Sequence, residues 1–358
     1  MKDLHGGNIY KFQREGKNNI LDYSSNINPL GVPQKFIDIA KENFDKLVNY
    51  PDPYYIELRK KISEFNSVNM DNIIVGNGAT EILFLYIRVL KPKKVLILAP
   101  CFAEYERALK SVSANIEYFE LKESENFYPN IINLKKEIEN NNYDLLLLCN
   151  PNNPTGQFIK LEDIKEIVKT CENKNTKIFI DEAFIEFIEN WKEKTVSLLK
   201  NKNVFIMRAF TKFFAIPGLR LGYGLGFDED ILKKMWEEKE PWTVNTFANL
   251  AGIIMLDDKE YIEKSEKWIL EEKKFMYKEL SEFQYIKAYK TECNFILLKI
   301  YNISSASLRD KMIEKNILIR DASNFKFLDF HFVRLAIKDR KSNLKMLEVL
   351  ADIMEYRG

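Results

Sequence analysis

Four nearly continuous apolar runs stand out along the first two thirds of the chain: KVLILAP (94–100), YDLLLLCN (143–150), KIFID (177–181) and NVFIM (203–207). Their lack of apolar–polar alternation predicts strands buried on both faces of a parallel sheet. Amphipathic segments of helical period lie between them, such as KLEDIKEIVKTC (160–171), which could cover that sheet. NIIVGNGATEILFLYIRVL (72–90) predicts a strand, a glycine turn and an almost wholly apolar helix from about 79 to 90. NYPDPYYIELRKKISEF (49–65) predicts a proline-fixed turn entering a helix with Ile56, Leu58 and Ile62 on one face. LRLGYGLGF (219–227) reads as another strand, and KEPWTVNTFANLAGIIML (239–256) as a turn into a helix.

After a long charged helix over roughly 259–283 the elements become shorter. The pattern gives strand NFILLKI (294–300), helix SLRDKMIEKN (307–316), strands ILIRDAS (317–323) and HFVRLAI (331–337), and a closing helix NLKMLEVLADIMEY (343–356). The expectation is an α/β chain with a large domain over 31–250 and a smaller α+β domain over 251–358. An N-terminal segment, 1–30, is expected to serve the substrate site and the small domain. There are no internal repeats or low-complexity linkers.

Composition narrows the function classes. At 46% hydrophobic and 30% charged, with a net charge of +1, the chain lacks the basic footprint of a nucleic-acid or acidic-membrane binder. Four cysteines without CxxC pairing read as buried thiols in a reducing compartment. No signal peptide and no bilayer-spanning apolar run is visible, so a cytoplasmic location is expected. With only His5 and His331, histidine triads and His-rich metal sites are disfavoured, which shifts acid–base work towards lysine or the substrate.

The chemistry gathers where the apolar runs end, which is where α/β sheets hold ligands. RAFTKFFAIPGLRLGY (208–223) places Lys212 just past a buried strand among Phe210, Phe213, Phe214 and Ile216. Partial desolvation there favours the neutral amine that can form a Schiff base. A solvated loop lysine is the bland alternative. KIFID ends in Asp181, a carboxylate that needs a cation, either a ring nitrogen or a lysine elsewhere. Ala183, on the same face, leaves room for a flat ring, and Phe102 could stack on one or simply be core.

Asn153, fixed by Pro154, is placed to donate into a site. Gly78, Ala79 and Thr80 open the apolar helix with unpaired amides that suit one phosphate rather than a nucleotide. The two glycines of HGGN (5–8) permit close backbone approach to an anion. Arg320 and Arg334 interrupt apolar strands and so call for a carboxylate or a ligand. Tyr50, on its rigid turn, could present a hydroxyl to a neighbour or pack.

In order, GNGAT, PCFAEY, NPNNPTG, DEAF and TKFFAIPGLRLGY resemble the aminotransferase class I/II family of fold-type I pyridoxal 5′-phosphate (PLP) enzymes, over nearly the whole chain. The resemblance implies a large domain with a mostly parallel seven-stranded sheet, a smaller α+β domain, PLP as cofactor, and a homodimer. Carried over residue by residue, Lys212 would bind the PLP aldehyde and Asp181 would keep the pyridine nitrogen protonated. Asn153 would bond the phenolic oxygen, and Phe102 and Ala183 would sandwich the ring. Gly78, Ala79, Thr80, Thr211 and Arg220 would take the phosphate, with Tyr50 reaching across the dimer to the neighbouring site. The family usually has Ser or Thr three residues before the lysine, where this chain has Ala209.

Two subgroups of the family are close, the threonine-phosphate decarboxylases of cobalamin biosynthesis and the histidinol-phosphate aminotransferases. HGGNIY, SSNINPLG, EPWTVN and ILIRDASNF look like the former, and Phe184 stands where the latter typically have Tyr. The implied reaction is decarboxylation of L-threonine O-3-phosphate to 1-amino-2-propanol phosphate, with Lys212 returning a proton. His5, Gly7, Asn8, Asn26, Arg320 and Arg334 are the expected substrate clamp. Transamination of a phosphorylated substrate, and a non-catalytic PLP-fold binding protein, are the alternatives.

Overall fold

The computed structural model describes residues 5–354. The outer ends of the expected N-terminal segment (1–4) and of the closing helix and small domain (355–358) lie outside the described residues.

Among the described residues, thirteen strands form three sheets. A two-residue strand, β1 (Leu21–Asp22), comes first. Seven strands follow: β2 (Ile73–Gly76), β3 (Lys94–Ala99), β4 (Asn115–Glu120), β5 (Leu145–Cys149), β6 (Lys177–Asp181), β7 (Val204–Ala209) and β8 (Gly222–Gly226). They form one sheet in the order β2-β8-β7-β6-β5-β3-β4. Only β8 runs antiparallel to its neighbours, so the carboxyl ends of the rest share one edge.

The continuous apolar runs are explained by burial on both faces. Leu96, Leu98, Leu146, Leu148, Ile178 and Ile180 enter one core, while Val95, Ile97, Leu145, Leu147 and Phe179 enter the other. Successive strand residues point to opposite faces, so a strand covered on both sides needs an apolar residue at every position.

The later strands are β9 (Ile286–Ala288), β10 (Phe295–Ile300), β11 (Ile317–Leu318), β12 (Arg320–Asp321) and β13 (Phe332–Ala336). β12, β13, β10 and β9 form a second, antiparallel sheet. The run ILIRDAS was expected to be one strand. It divides instead, because β11 pairs parallel with β1 while β12 pairs with β13. The β1–β11 pairing ties the N-terminal segment to this later part of the chain and sets the register of residues 23–26 at the site.

The apolar helix is present as Ala79–Leu90, with Ile82, Leu83, Leu85, Tyr86 and Ile87 buried. The charged helix is Lys259–Ser281. The helix Ile56–Asn66 buries Leu58 and Ile62, but Ile56, expected on the same face, is 46% exposed. It is the first residue of its helix, ahead of the turn that packs. Cys149, Cys171 and Cys293 are buried, Cys101 is partly so, and all four are free thiols. Among the described residues no helix is long and apolar enough to cross a membrane.

Candidate active site

The carboxyl edge of the large sheet opens into a cavity of about 240 Å³. Lys212 enters it from a short helix, Phe210–Phe213, that follows β7 directly. Burial first, and then the positive charges of Arg334, Arg220 and Lys338, push its ammonium down to about 8, with Asp22 acting in the opposite sense. The neutral amine is therefore accessible near neutral pH.

Asp181, the last residue of β6, lines the same cavity. Its Oδ2 accepts from the Tyr105 hydroxyl at 2.6 Å and its Oδ1 from the Ala183 amide at 2.8 Å. Neither donor carries a charge. Burial raises this carboxyl to about 6, against the opposing pull of those two hydrogen bonds and of Lys212. A buried carboxylate held by neutral donors is a site for a cation, and a protonated ring nitrogen satisfies it.

Ala79 and Thr80 bring the N-terminal turn of the apolar helix to the cavity. Gly78 caps this helix at φ 82°, a conformation that favours glycine, and the Arg220 guanidinium rests against it, so that a Cβ there would lie 2.5 Å from Nη2 and push the guanidinium aside. Arg220 and Thr211 also line the cavity, and Arg220 Nη1 donates to the Pro217 carbonyl at 3.1 Å. The helix amides, the Thr80 and Thr211 hydroxyls and one guanidinium together make a cradle for a single phosphate. Ala209 supplies no hydroxyl to it.

Phe102 and Ala183 line the cavity as well, and Phe184 packs edge-on against Phe295 at 5.1 Å. Asn153 Oδ1 accepts from Arg334 Nη1 at 2.5 Å, which leaves the Asn153 amide NH2 to donate. Arg334 Nη2 donates to the Ser24 carbonyl at 2.6 Å, while its buried Nε and the buried Asn26 Oδ1 have no hydrogen-bond partner among the described residues. Arg320, beside it on β12, donates to the Asp321 carbonyl and Asn324 and lies over the Phe325 ring. No carboxylate therefore neutralises Arg334 in these contacts, and burial and the Arg320 charge both weaken its hold on its proton.

His5 and Asn26 also reach the cavity. Gly7 stands behind it, its amide donating to Ser24 Oγ at 2.7 Å, and Asn8 precedes the helix Ile9–Arg14. Tyr50 is 82% exposed, tilted against Trp242 with ring centroids 5.0 Å apart, and does not line this chain's own cavity. Sequence reasoning missed Tyr105, the partner of Asp181, and Glu104, the partner of His5. Both belong to PCFAEY, and their place at the start of the helix just after Phe102 was the available signal.

The family model for aminotransferase class I and II matches residues 18–350. A Caldanaerobacter subterraneus subsp. tengcongensis protein described as a "putative threonine-phosphate decarboxylase" is 44% identical, over 98% of this chain and 94% of its own length. The threonine-phosphate decarboxylase of Salmonella typhimurium is 33% identical over 98% of this chain and 96% of its own. The crystal structure of the histidinol-phosphate aminotransferase from Clostridium acetobutylicum superposes with a TM-score of 0.88 at 38% identity, covering 94% of this chain and 99% of that one.

The chain belongs to the class I and II aminotransferase family. Its fold is that of the fold-type I enzymes and its cofactor is pyridoxal 5′-phosphate. The residues fit that group. The neutral-donor setting of Asp181 suits a pyridinium, the Gly78–Arg220 cradle suits its phosphate, and Lys212 offers an amine between them.

Proposed function

We propose that this protein decarboxylates L-threonine O-3-phosphate to 1-amino-2-propanol O-2-phosphate, a step of cobalamin biosynthesis. The observation that carries the reading is the gathering of His5, Arg320 and Arg334 in the cavity that holds Lys212. Three potential cations in one cavity suit a substrate bearing both a phosphate and a carboxylate. The identities to the two decarboxylase relatives support it.

Bound PLP supplies an electron sink for the bond broken at the substrate's Cα. Lys212 would hold it covalently, Asp181 would face its ring nitrogen and Asn153 its phenolic oxygen. Phe102 and Ala183 would flank the ring. Gly78, Ala79, Thr80, Thr211 and Arg220 would take its phosphate.

The clamp of His5, Gly7, Asn8, Asn26, Arg320 and Arg334 would fix the substrate's phosphate. It would thereby stand the Cα–carboxylate bond perpendicular to the ring, where its electrons can be accepted. Carbon dioxide would be the leaving group, and Lys212 Nζ would be the donor of the proton that takes its place at Cα. With L-threonine phosphate labelled with ¹³C in the carboxyl group, the reading requires labelled carbon dioxide in step with substrate loss; retention of the label in all products would sink it.

A second reading, transamination of histidinol phosphate, is favoured by the 38% identity to the Clostridium enzyme. Phe184 lacks the hydroxyl typical of those enzymes, a difference that does not by itself choose between the two reactions. Two further proposals concern organisation. The large and small domains would divide near residue 250, with 1–30 joining the smaller. A second copy of the chain would cover the exposed Val48, Tyr50 and Trp242, so that Tyr50 meets the phosphate of the neighbouring site. Light scattering tests this, since a particle of 42.2 kDa rather than twice that mass would refute it.

A further inference from the structure

His5 is fixed at both ends. Behind it, Gly6 packs so closely on Ser24 that any Cβ would collide with the Ser24 carbonyl oxygen. The Gly7 amide donates to Ser24 Oγ at 2.7 Å, and the Ser24 hydroxyl donates in turn to Asp22 Oδ1 at 2.6 Å. In front, His5 Nε2 lies 2.8 Å from Glu104 Oε1, and its ring sits 5.4 Å from that of Phe102.

Glu104 is 5% exposed, in the first turn of the helix Glu104–Lys110. Its other oxygen is 3.4 Å from Nη1 of Arg107, whose side chain is 72% exposed. A carboxylate buried this far is retained only where it is paired, and the shorter contact is the one to His5, whose side chain is 45% exposed.

The chemistry of the imidazole decides what this pairing does. An ionised carboxylate only accepts, so Nε2 must carry a proton. Nδ1 then either offers a lone pair, which repels a phosphate oxygen, or carries a second proton and donates to it. Glu104 takes the Nε2 side of the ring, which leaves Nδ1 as the nitrogen that can meet an anion.

We infer that Glu104 is a positioning residue for substrate phosphate: by holding Nε2–H of His5 it presents Nδ1–H to the anion. The inference rests on the reading that the substrate is phosphorylated, but not on which bond is then broken. Loss of the carboxylate therefore weakens the hold on the phosphate.

The test uses the PLP-loaded protein with ¹⁵N-labelled histidine and inorganic phosphate as the probe. The chain has two histidines, and His331, 3.1 Å from Asp329 and outside the cavity, serves as the internal reference. In wild type the His5 ring signals shift saturably with phosphate and those of His331 do not.

Glu104→Gln should weaken phosphate about tenfold, the loss expected for one charge-assisted hydrogen bond. Glu104→Asp should recover much of that loss. The KM for L-threonine phosphate should rise in parallel while kcat falls less, with the cofactor spectrum unchanged. In the double variant, Glu104→Gln should add little to His5→Asn, because the two residues act as one unit. Unaltered phosphate affinity in Glu104→Gln, or additive losses in the double variant, would overturn the inference. If wild type binds phosphate as described yet leaves L-threonine phosphate unconverted, the proposed reaction fails and the role of Glu104 stands.

Discussion

Arg334 on β13 donates from Nη1 to Oδ1 of Asn153, 2.5 Å away in the turn that follows β5. One hydrogen bond thus joins the antiparallel sheet to the large sheet at the cavity. The proposed substrate clamp and the proposed contact to the cofactor's phenolic oxygen are set by the same guanidinium.

Arg334→Lys keeps the charge but loses the planar fork that reaches Asn153 and Ser24 together. The expected result is a fall in kcat/KM of about 100-fold. A displaced cofactor absorbance band should accompany it, because Asn153 is released. Steady-state kinetics and a spectrum of the loaded variant check both parts. Wild-type kcat/KM with a displaced band would separate the two roles and contradict the account.

Asp181 gives a stability prediction with a definite sign. Its value in the folded protein, about 6, lies above the ordinary 3.8. The stability it permits is therefore fully present below pH 3.8 and is lost as pH rises through about 6. Asp181→Asn stays neutral throughout. At pH 8 the cofactor-free variant should be the more stable by up to about 3 kcal/mol, the equivalent of roughly two pKa units. Adding PLP should reverse the order, because only the carboxylate attracts a pyridinium. Thermal melts at pH 5 and pH 8, with and without PLP, measure this; a cofactor-free wild type more stable than the variant at pH 8 would refute it.

Lys212 gives the kinetic counterpart. With its ammonium pushed down to about 8, the reactive neutral amine grows in as pH passes through that value rather than through 10.5. Capture of PLP by the cofactor-free protein should accelerate up to roughly pH 9 and then level off, followed by the cofactor's absorbance. Lys212→Ala should retain weak PLP binding without this pH dependence and without turnover. An active variant would refute the assignment.

The strand ends that carry Asp181, Asn153 and Lys212 were legible because β5, β6 and β7 are buried on both faces and therefore read as unbroken apolar runs. The helix of Ala79–Leu90 was legible for the same reason. The edge strand β4, NIEYFE, is half-exposed and was not seen, since it carries no continuous apolar signal. Tyr105 meets Asp181 across 76 residues of chain and Glu104 meets His5 across 99. Such contacts depend on strand order and on where a helix starts, which local periodicity does not encode. The division of ILIRDAS between two sheets escaped for the same reason, because β1, its partner, is only two residues long.

The most direct measurement of the central claim is product analysis by mass spectrometry on two mixtures of the PLP-loaded protein. One holds L-threonine O-3-phosphate alone, and the other histidinol phosphate with 2-oxoglutarate. The account predicts aminopropanol phosphate in the first. Glutamate in the second, with threonine phosphate untouched in the first, would contradict it and mean that the clamp stands a different bond over the ring.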